Sequence, residues 1–357
     1  MAGAHDAEMP IAVSAAGALG SLPCAMLNAE QIRAETDSIK SATDKPFNLN
    51  FFCHSTPADD PEQISRWLKT LEPFYQAEGI DDLPSGGPAR KPFDESLCEV
   101  VENCKPAVVS FHFGLPAEYL VARVKALGSL IISSATTVNE ALWLVEHGCD
   151  AVIAQGSEAG GHRGIFLTDD PVRDASAQPG IMALLPDIVE AVDVPVIAAG
   201  GIANAQTAHA ALNLGASMVQ IGTGYLFTRE ARISALHRQA LNTAEAHDTA
   251  LTNLFSGRPA RGLMTKLMRE IGPLNEQAAA FPLAGAALTP LKKKAEADGR
   301  TDYTSLWAGQ AVAAARRSAQ CTAQRISDAS EASSEFVNPG AADLTRYLTD
   351  QIERCSR

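Results

Sequence analysis

Short apolar runs alternate along this chain with longer stretches whose apolar positions recur every three or four residues. The runs at 19–22, 46–53, 108–112, 130–133, 151–154, 194–199 and 218–221 have strand length, and Asn48 and Asn50 interrupt the second. Helical periodicity covers 8–16, a segment capped by Asn28 that ends near 41, and 62–76. It also covers 205–214, where Asn204 supplies the cap and Gly215 the stop. Strand, helix, strand in this rhythm predicts one parallel sheet, and the apolar strands fit burial on both faces. The connection 54–94 is long and rich in Pro, Asp and Gly, which marks a lid or an insertion. After Arg229, helical patterns at 231–241, 248–254, 263–271 and 305–317 predict a helical lobe. Residues 319–357 mix Ser, Ala, Glu and Asp around an amphipathic stretch at 344–352, and a loosely packed tail is expected there.

Three successive strand ends carry glycine. The run after Ala154 reads Gln155-Gly156-Ser157-Glu158-Ala159-Gly160-Gly161-His162-Arg163-Gly164. Glycine lets the backbone approach a bound group, and histidine is suited to proton transfer near neutral pH. The strand at 194–199 ends in Gly200-Gly201, and that at 218–221 runs into Gly222-Thr223-Gly224. Small residues and free backbone N–H groups at consecutive strand ends are what a phosphate site after the last strands of a (β/α)8 barrel requires. No G-x-G-x-x-G dinucleotide fingerprint follows any strand. Arg258-Pro259-Ala260-Arg261 places guanidinium groups near a phosphate or an anionic substrate, or else forms a solvated basic turn.

Composition narrows the class. The chain has 357 residues, 46% of them hydrophobic, enough for one large barrel with an accessory lobe or for two ordinary domains. A formal charge of −13 disfavours nucleic acid and anionic membrane surfaces as partners. No stretch approaches the roughly 18–20 apolar residues of a membrane helix, and residues 1–20 lack the basic start of a secretory signal. Seven scattered cysteines without CxxC spacing point to reduced thiols in a cytoplasmic protein and to no metal site.

The segment 133–230 resembles the nitronate monooxygenase family, formerly called 2-nitropropane dioxygenases, which are FMN-dependent TIM-barrel enzymes. The resemblance rests on Gln155–Gly164, on Ala198-Ala199-Gly200-Gly201-Ile202 and on Gln220-Ile221-Gly222-Thr223. It extends from Met1-Ala2-Gly3 through Pro46-Phe47-Asn48-Leu49-Asn50-Phe51 to Ser256-Gly257-Arg258-Pro259-Ala260-Arg261, and fades after about Arg317. It implies an α/β fold, a TIM-like (β/α)8 barrel lacking its first strand, with a mainly helical C-terminal lobe. The implied domains are an FMN-binding barrel at 1–228 with 54–94 as insertion or lid, an accessory lobe at 229–317 packed on the barrel, and a poorly ordered tail at 318–357.

The resemblance further implies oxidation of alkyl nitronates, and by extension nitroalkanes, by dioxygen to a carbonyl compound and nitrite. His162 matches the catalytic base. Asn50, Gln155, Gly160, Gly201, Gln220, Ile221, Gly222 and Thr223 match FMN-binding positions, and Ser134 stands where some relatives use lysine. Glu158 is expected to orient the loop or to pair with Arg163. His54 and His112 read as pocket-lining or satisfied histidines. The partners implied are a small nitronate and dioxygen, with no nucleic acid and no membrane; an oligomer is left open. Two alternatives stand beside this reading. A flavin-dependent enoyl-ACP reductase, which would use NAD(P)H, carries a very similar Glu-Ala-Gly-Gly-His segment. A truncated barrel without activity is the other.

Overall fold

The computed structural model describes residues 3–58, 60–81, 91–330 and 338–355. In chain order the strands are β1 (Gly20–Pro23), β2 (Phe47–Phe52), β3 (Val108–His112), β4 (Leu130–Ala135), β5 (Ala151–Gln155), β6 (Gly161–His162), β7 (Val196–Ala199), β8 (Met218–Gln220), β9 (Thr249–Thr252) and β10 (Ala260–Leu263). Seven of them form a parallel sheet in the order β1-β2-β3-β4-β5-β7-β8. These are the seven apolar runs expected from the pattern. The expected helical segments form Glu8–Ala15, Ala29–Ala42, Pro61–Ala77 and Ala205–Asn213. Asn28 and Asn204 cap two of them as expected, accepting from Gln31 N–H and Thr207 N–H.

The seven strands curl into an open, TIM-like half-barrel. Side chains alternate along each strand, so the two faces feed separate cores. Leu49, Val109, Phe111, Ile131, Val152 and Ala198 point outward into the layer shared with the helices. Val108, Ile132, Ile153, Ile197 and Ala199 fill the interior. Further toward the carboxyl ends the inward positions turn polar: Asn50 on β2, Ser110 and His112 on β3, Ser134 on β4 and Gln155 on β5. Among the described residues, β1 and β8 have no partner on their outer edges. Met218, at the start of β8, is 49% exposed. Outside this opening, the helix Ala341–Cys355 packs on Glu8–Ala15 and Ala205–Asn213, the helices beside the two edges.

The remaining strands pair antiparallel as β6-β10-β9. Residues 249–252 are therefore a strand, where the sequence pattern predicted a helix over 248–254. Thr249, Ala250, Leu251 and Thr252 pair with Leu263, Gly262, Arg261 and Ala260, and this return of the chain decides the conformation of so short a segment. The helix Ala284–Ala297 was hidden by Gly285 and by Pro290 in its interior.

A second core joins the lobe to the 54–94 connection. Trp67, Leu71, Phe74 and Tyr75 of Pro61–Ala77 pack with Leu254, Leu267, Leu288 and Leu291. Trp67 Nε1–H donates to the Ala284 carbonyl at 3.0 Å, and the Tyr75 hydroxyl donates to that of Ala287. Arg300 pairs with Glu78 just past the helix at 2.6 Å. Residues 82–90 of this connection lie outside the described residues. Where a loose tail was expected, Val312–Ser330 and Ala341–Cys355 are helices. The second buries Ala341, Leu344, Thr345 and Leu348.

Candidate active site

The loop after β5 is held from beneath by two arginines. Arg163 is fully buried. Its guanidinium donates to the carbonyls of Gln155 (2.6 Å) and Gly156 (2.5 Å) and to Gln178 Oε1 (2.7 Å). Arg261 Nε donates to the Ser157 carbonyl at 2.8 Å. Three consecutive carbonyls are thus fixed by cations. Burial, with Arg261 close by, lowers the Arg163 guanidinium to about 10. Glu158 forms its contacts elsewhere. Its carboxylate accepts from Ile181 N–H at 2.9 and 3.0 Å, where the helix Ile181–Ala191 begins. It therefore orients the loop through that helix, and no ion pair joins it to Arg163.

The backbone of His162 is pinned from two strands. Gln155 Nε2 donates to the His162 carbonyl at 3.0 Å, while Gln155 Oε1 accepts from Gly164 N–H at 2.7 Å. His112 Nε2 lies 3.1 Å from the same carbonyl, and Ser134 Oγ lies 3.1 Å from His112 Nδ1. A carbonyl only accepts, so Nε2 of His112 carries the proton and Nδ1 receives the serine hydroxyl. Burial holds His112 neutral, lowered to about 3. This is the satisfied histidine expected from the sequence, and Ser134 is its partner.

The His162 ring faces the C-terminal lobe. Its Nε2 lies 2.8 Å from Ser256 Oγ. The Ser256 hydroxyl also donates to the Arg258 carbonyl at 3.2 Å and accepts from Arg258 N–H at 3.4 Å, which ties the histidine to the 256–258 turn. Phe281, Trp307, Phe113 and Phe52 surround the ring with centroids 5.4–6.0 Å away. Pairing of His162 with Ala260, between β6 and β10, fixes the loop against the lobe.

The glycine-marked ends of β7 and β8 lie beside this loop. Gly200 and Gly201 both have positive φ, 108° and 68°. Register places Ala199 beside Gln220, and no heavy atom lies within 4 Å of where a Cβ on Gly222 would stand. Thr223 Oγ1 accepts from Gly309 N–H at 2.9 Å. A Cβ on Gly160 would come within 2.5 Å of that same Gly309 nitrogen, so only glycine fits. Asn50 Nδ2 donates to Ser110 Oγ at 2.7 Å on the neighbouring strand β3.

The structure thus brings Gln155, Gly160 and His162 onto one loop, with Gly201, Gln220, Ile221, Gly222 and Thr223 on the next two strand ends. Asn50 stands on β2. Sequence reasoning gave no role to Ser256, Gly309, Phe113 or Phe281. The first two carry a signal in hindsight, Ser256-Gly257 before Arg258 and Gly309 in the small run after Trp307. Beyond the histidine opens a cavity of about 910 Å³, lined by His54, Phe113, Phe166, Arg258 and Phe281 among others. Among the described residues no cluster of His, Cys, Asp or Glu is set to hold a metal. No helix there is long and apolar enough to cross a membrane.

Known proteins resemble this chain in sequence and fold. The family model described as nitronate monooxygenase matches residues 1–326. The nitronate monooxygenase of Pseudomonas aeruginosa is 38% identical over 323 residues, covering 88% of this chain and 90% of that protein. The nitronate monooxygenase of Paraburkholderia phytofirmans is 38% identical over 321 residues, covering 88% and 86%. Among solved structures, a nitroalkane oxidase from Streptomyces ansochromogenes superposes with a TM-score of 0.84 at 32% identity, covering 100% of this chain and 94% of that one. FabK from Thermotoga maritima superposes with a TM-score of 0.69 at 24% identity, covering 100% and 91%, a likeness of fold. With its glycine-marked strand ends and a histidine loop clamped by arginines, this chain belongs to the nitronate monooxygenase family.

Proposed function

We propose that this chain oxidises alkyl nitronates, and the nitroalkanes that give rise to them, with dioxygen, yielding a carbonyl compound and nitrite. The observation that carries the reading is His162, held by Ser256 at 2.8 Å on the glycine-rich loop beside the glycine-marked ends of β7 and β8. The family is flavin-dependent, and we take the flavin to be FMN. Paired positive-φ glycines at the end of β7, the open space at Gly222 and the Thr223 hydroxyl suit one terminal phosphate. Thr223 Oγ1 already accepts from Gly309, so its proton is available to donate. Asn50 and Gly160 are the residues we assign to the ring system. The flavin, when bound, supplies the electron sink and the reaction with dioxygen.

The chain supplies the rest. A neutral nitroalkane must lose its α-proton before oxidation, and the His162 ring receives it. The imidazolium that results is held by Ser256. The aromatic shell of Phe52, Phe113, Phe281 and Trp307 keeps water from the reacting carbon. We place this chemistry in the reducing cytosol, which seven unpaired cysteines suit.

The test is spectroscopic. Anaerobic addition of a preformed nitronate to the flavin-loaded protein should reduce the flavin, and air should restore it with release of nitrite. NADH should leave the flavin oxidised. Rapid reduction by NADH with no response to nitronate would assign the chain to reductase chemistry instead. Flavin released by heat should chromatograph as FMN; FAD would overturn the phosphate assignment.

A further inference from the structure

Among the described residues lining the large cavity, Arg258 is a guanidinium without a full set of partners. Its Nη2 donates to the Ile165 carbonyl at 2.9 Å. Its Nε is buried and has no hydrogen-bond partner. No ion pair to a carboxylate is formed by Arg258 among the described residues. Glu140, whose charge reaches it, is already engaged: it accepts from Thr136 N–H and Oγ1–H and from Phe166 and Leu167 N–H. A buried cation left this way costs several kcal/mol in general unless an anion comes to it. Burial lowers Arg258 to about 10, still protonated at neutral pH.

Its position is held deliberately. The guanidinium lies 4.4 Å from the centroid of Phe113. Phe113 has φ of 71°, a left-handed conformation that a bulky residue adopts rarely and at a cost. The same ring also packs beside His162, with centroids 5.9 Å apart. Arg258 is also two residues past Ser256, the partner of His162. One short segment, 256–258, thus supplies both the group that orients the base and a cation with unspent N–H donors. A planar guanidinium matches a planar group with two oxygens.

We propose that Arg258 is the anion anchor of this site, receiving the two oxygens of a nitronate and selecting the anionic substrate over the neutral nitroalkane. This rests on the function proposed above and adds to it the residue that sets charge preference. Each charge-assisted hydrogen bond lost on removing Arg258 corresponds to about a 10- to 100-fold weaker binding.

The experiment compares wild type, Arg258→Met, Arg258→Lys and Arg258→Ala as flavin-loaded enzymes. The readouts are KM for a nitronate, KM for its parent nitroalkane and the affinity for inorganic nitrite by calorimetry. Arg258→Met should raise KM for the nitronate and weaken nitrite binding about 10- to 100-fold, with a much smaller change for the neutral nitroalkane. Arg258→Lys should fall between, and guanidinium ion added to Arg258→Ala should restore part of the loss. A folded, flavin-loaded Arg258→Met that binds nitrite as wild type does would overturn the proposal. If Arg258→Met does not fold, an Arg258→Lys enzyme unchanged in both KM for the nitronate and nitrite affinity would overturn it equally. If wild type fails to oxidise any nitronate, the functional reading falls, while nitrite binding still decides the role of Arg258.

Discussion

Single residues carry the chemistry, and their partners set what each does. Replacing His162 by Asn should lower turnover of neutral nitroalkanes about 10²–10⁴-fold, the usual contribution of a general base, and leave oxidation of preformed nitronates largely intact. Equal loss on both substrates, in steady-state assays run side by side, would give His162 a binding or structural role. His112 makes a prediction about pH. Its folded value of about 3 lies below the ordinary 6.5 because burial disfavours the charged ring. The unfolded chain therefore takes up a proton below pH 6.5 that the folded protein refuses. Stability from this group is complete above pH 6.5 and is lost as pH falls toward 3, by up to about 1.4 kcal/mol per pH unit. His237, lowered by burial to about 4, acts in the same sense. Thermal melts at steps between pH 7 and 4 should show a steep acid loss, shallower in His112→Gln. A flat profile would mean that the buried rings are protonated in the folded state.

At the level of elements, the site is a junction between the β5 loop and the lobe. Gly160 meets Gly309 so closely that Gly160→Ala must push them apart. The variant should stay folded and retain less flavin than wild type, measured as flavin absorbance per protein. Full occupancy would show that the junction is not part of the cradle. The helix Ala341–Cys355 is the other structural element that matters here. It places Leu344 beside Gly224, and its Thr345 Oγ1 lies 2.7 Å from the Tyr225 hydroxyl, on the turn that follows β8. Leu344→Ala should cost about 2–5 kcal/mol by denaturant unfolding, as for a buried leucine. A loss below about 0.5 kcal/mol would mean that the helix is only loosely docked.

At the scale of the whole molecule, the parallel sheet has two edge strands, β1 and β8, without outer partners among the described residues. Unpaired strand edges invite pairing with another chain. Leu19 beside β1 and Met218 on β8 are 42% and 49% exposed. Concentration-dependent self-association is expected in sedimentation velocity, and Met218→Lys should reduce it. Association that persists unchanged in that variant would place the contact elsewhere on the surface.

The seven strands, the helices capped by Asn28 and Asn204, and the glycine-marked strand ends were legible in the sequence, because each rests on local periodicity or on local backbone chemistry. The histidine loop was legible for the same reason. Three features were decided only in three dimensions. Residues 249–252 became a strand because their partner lies at 260–263, a pairing with no local signature. The helix at 61–77 joined the lobe because its apolar face, Trp67, Leu71 and Phe74, met one on the far side of the sequence. Ser256 reached His162, and Arg258 the Ile165 carbonyl, because the chain returns nearly a hundred residues later. Sequence periodicity reports which side of an element is apolar. Which other element covers that side, and which polar atom is left facing a cavity, is settled by the packing of the whole chain.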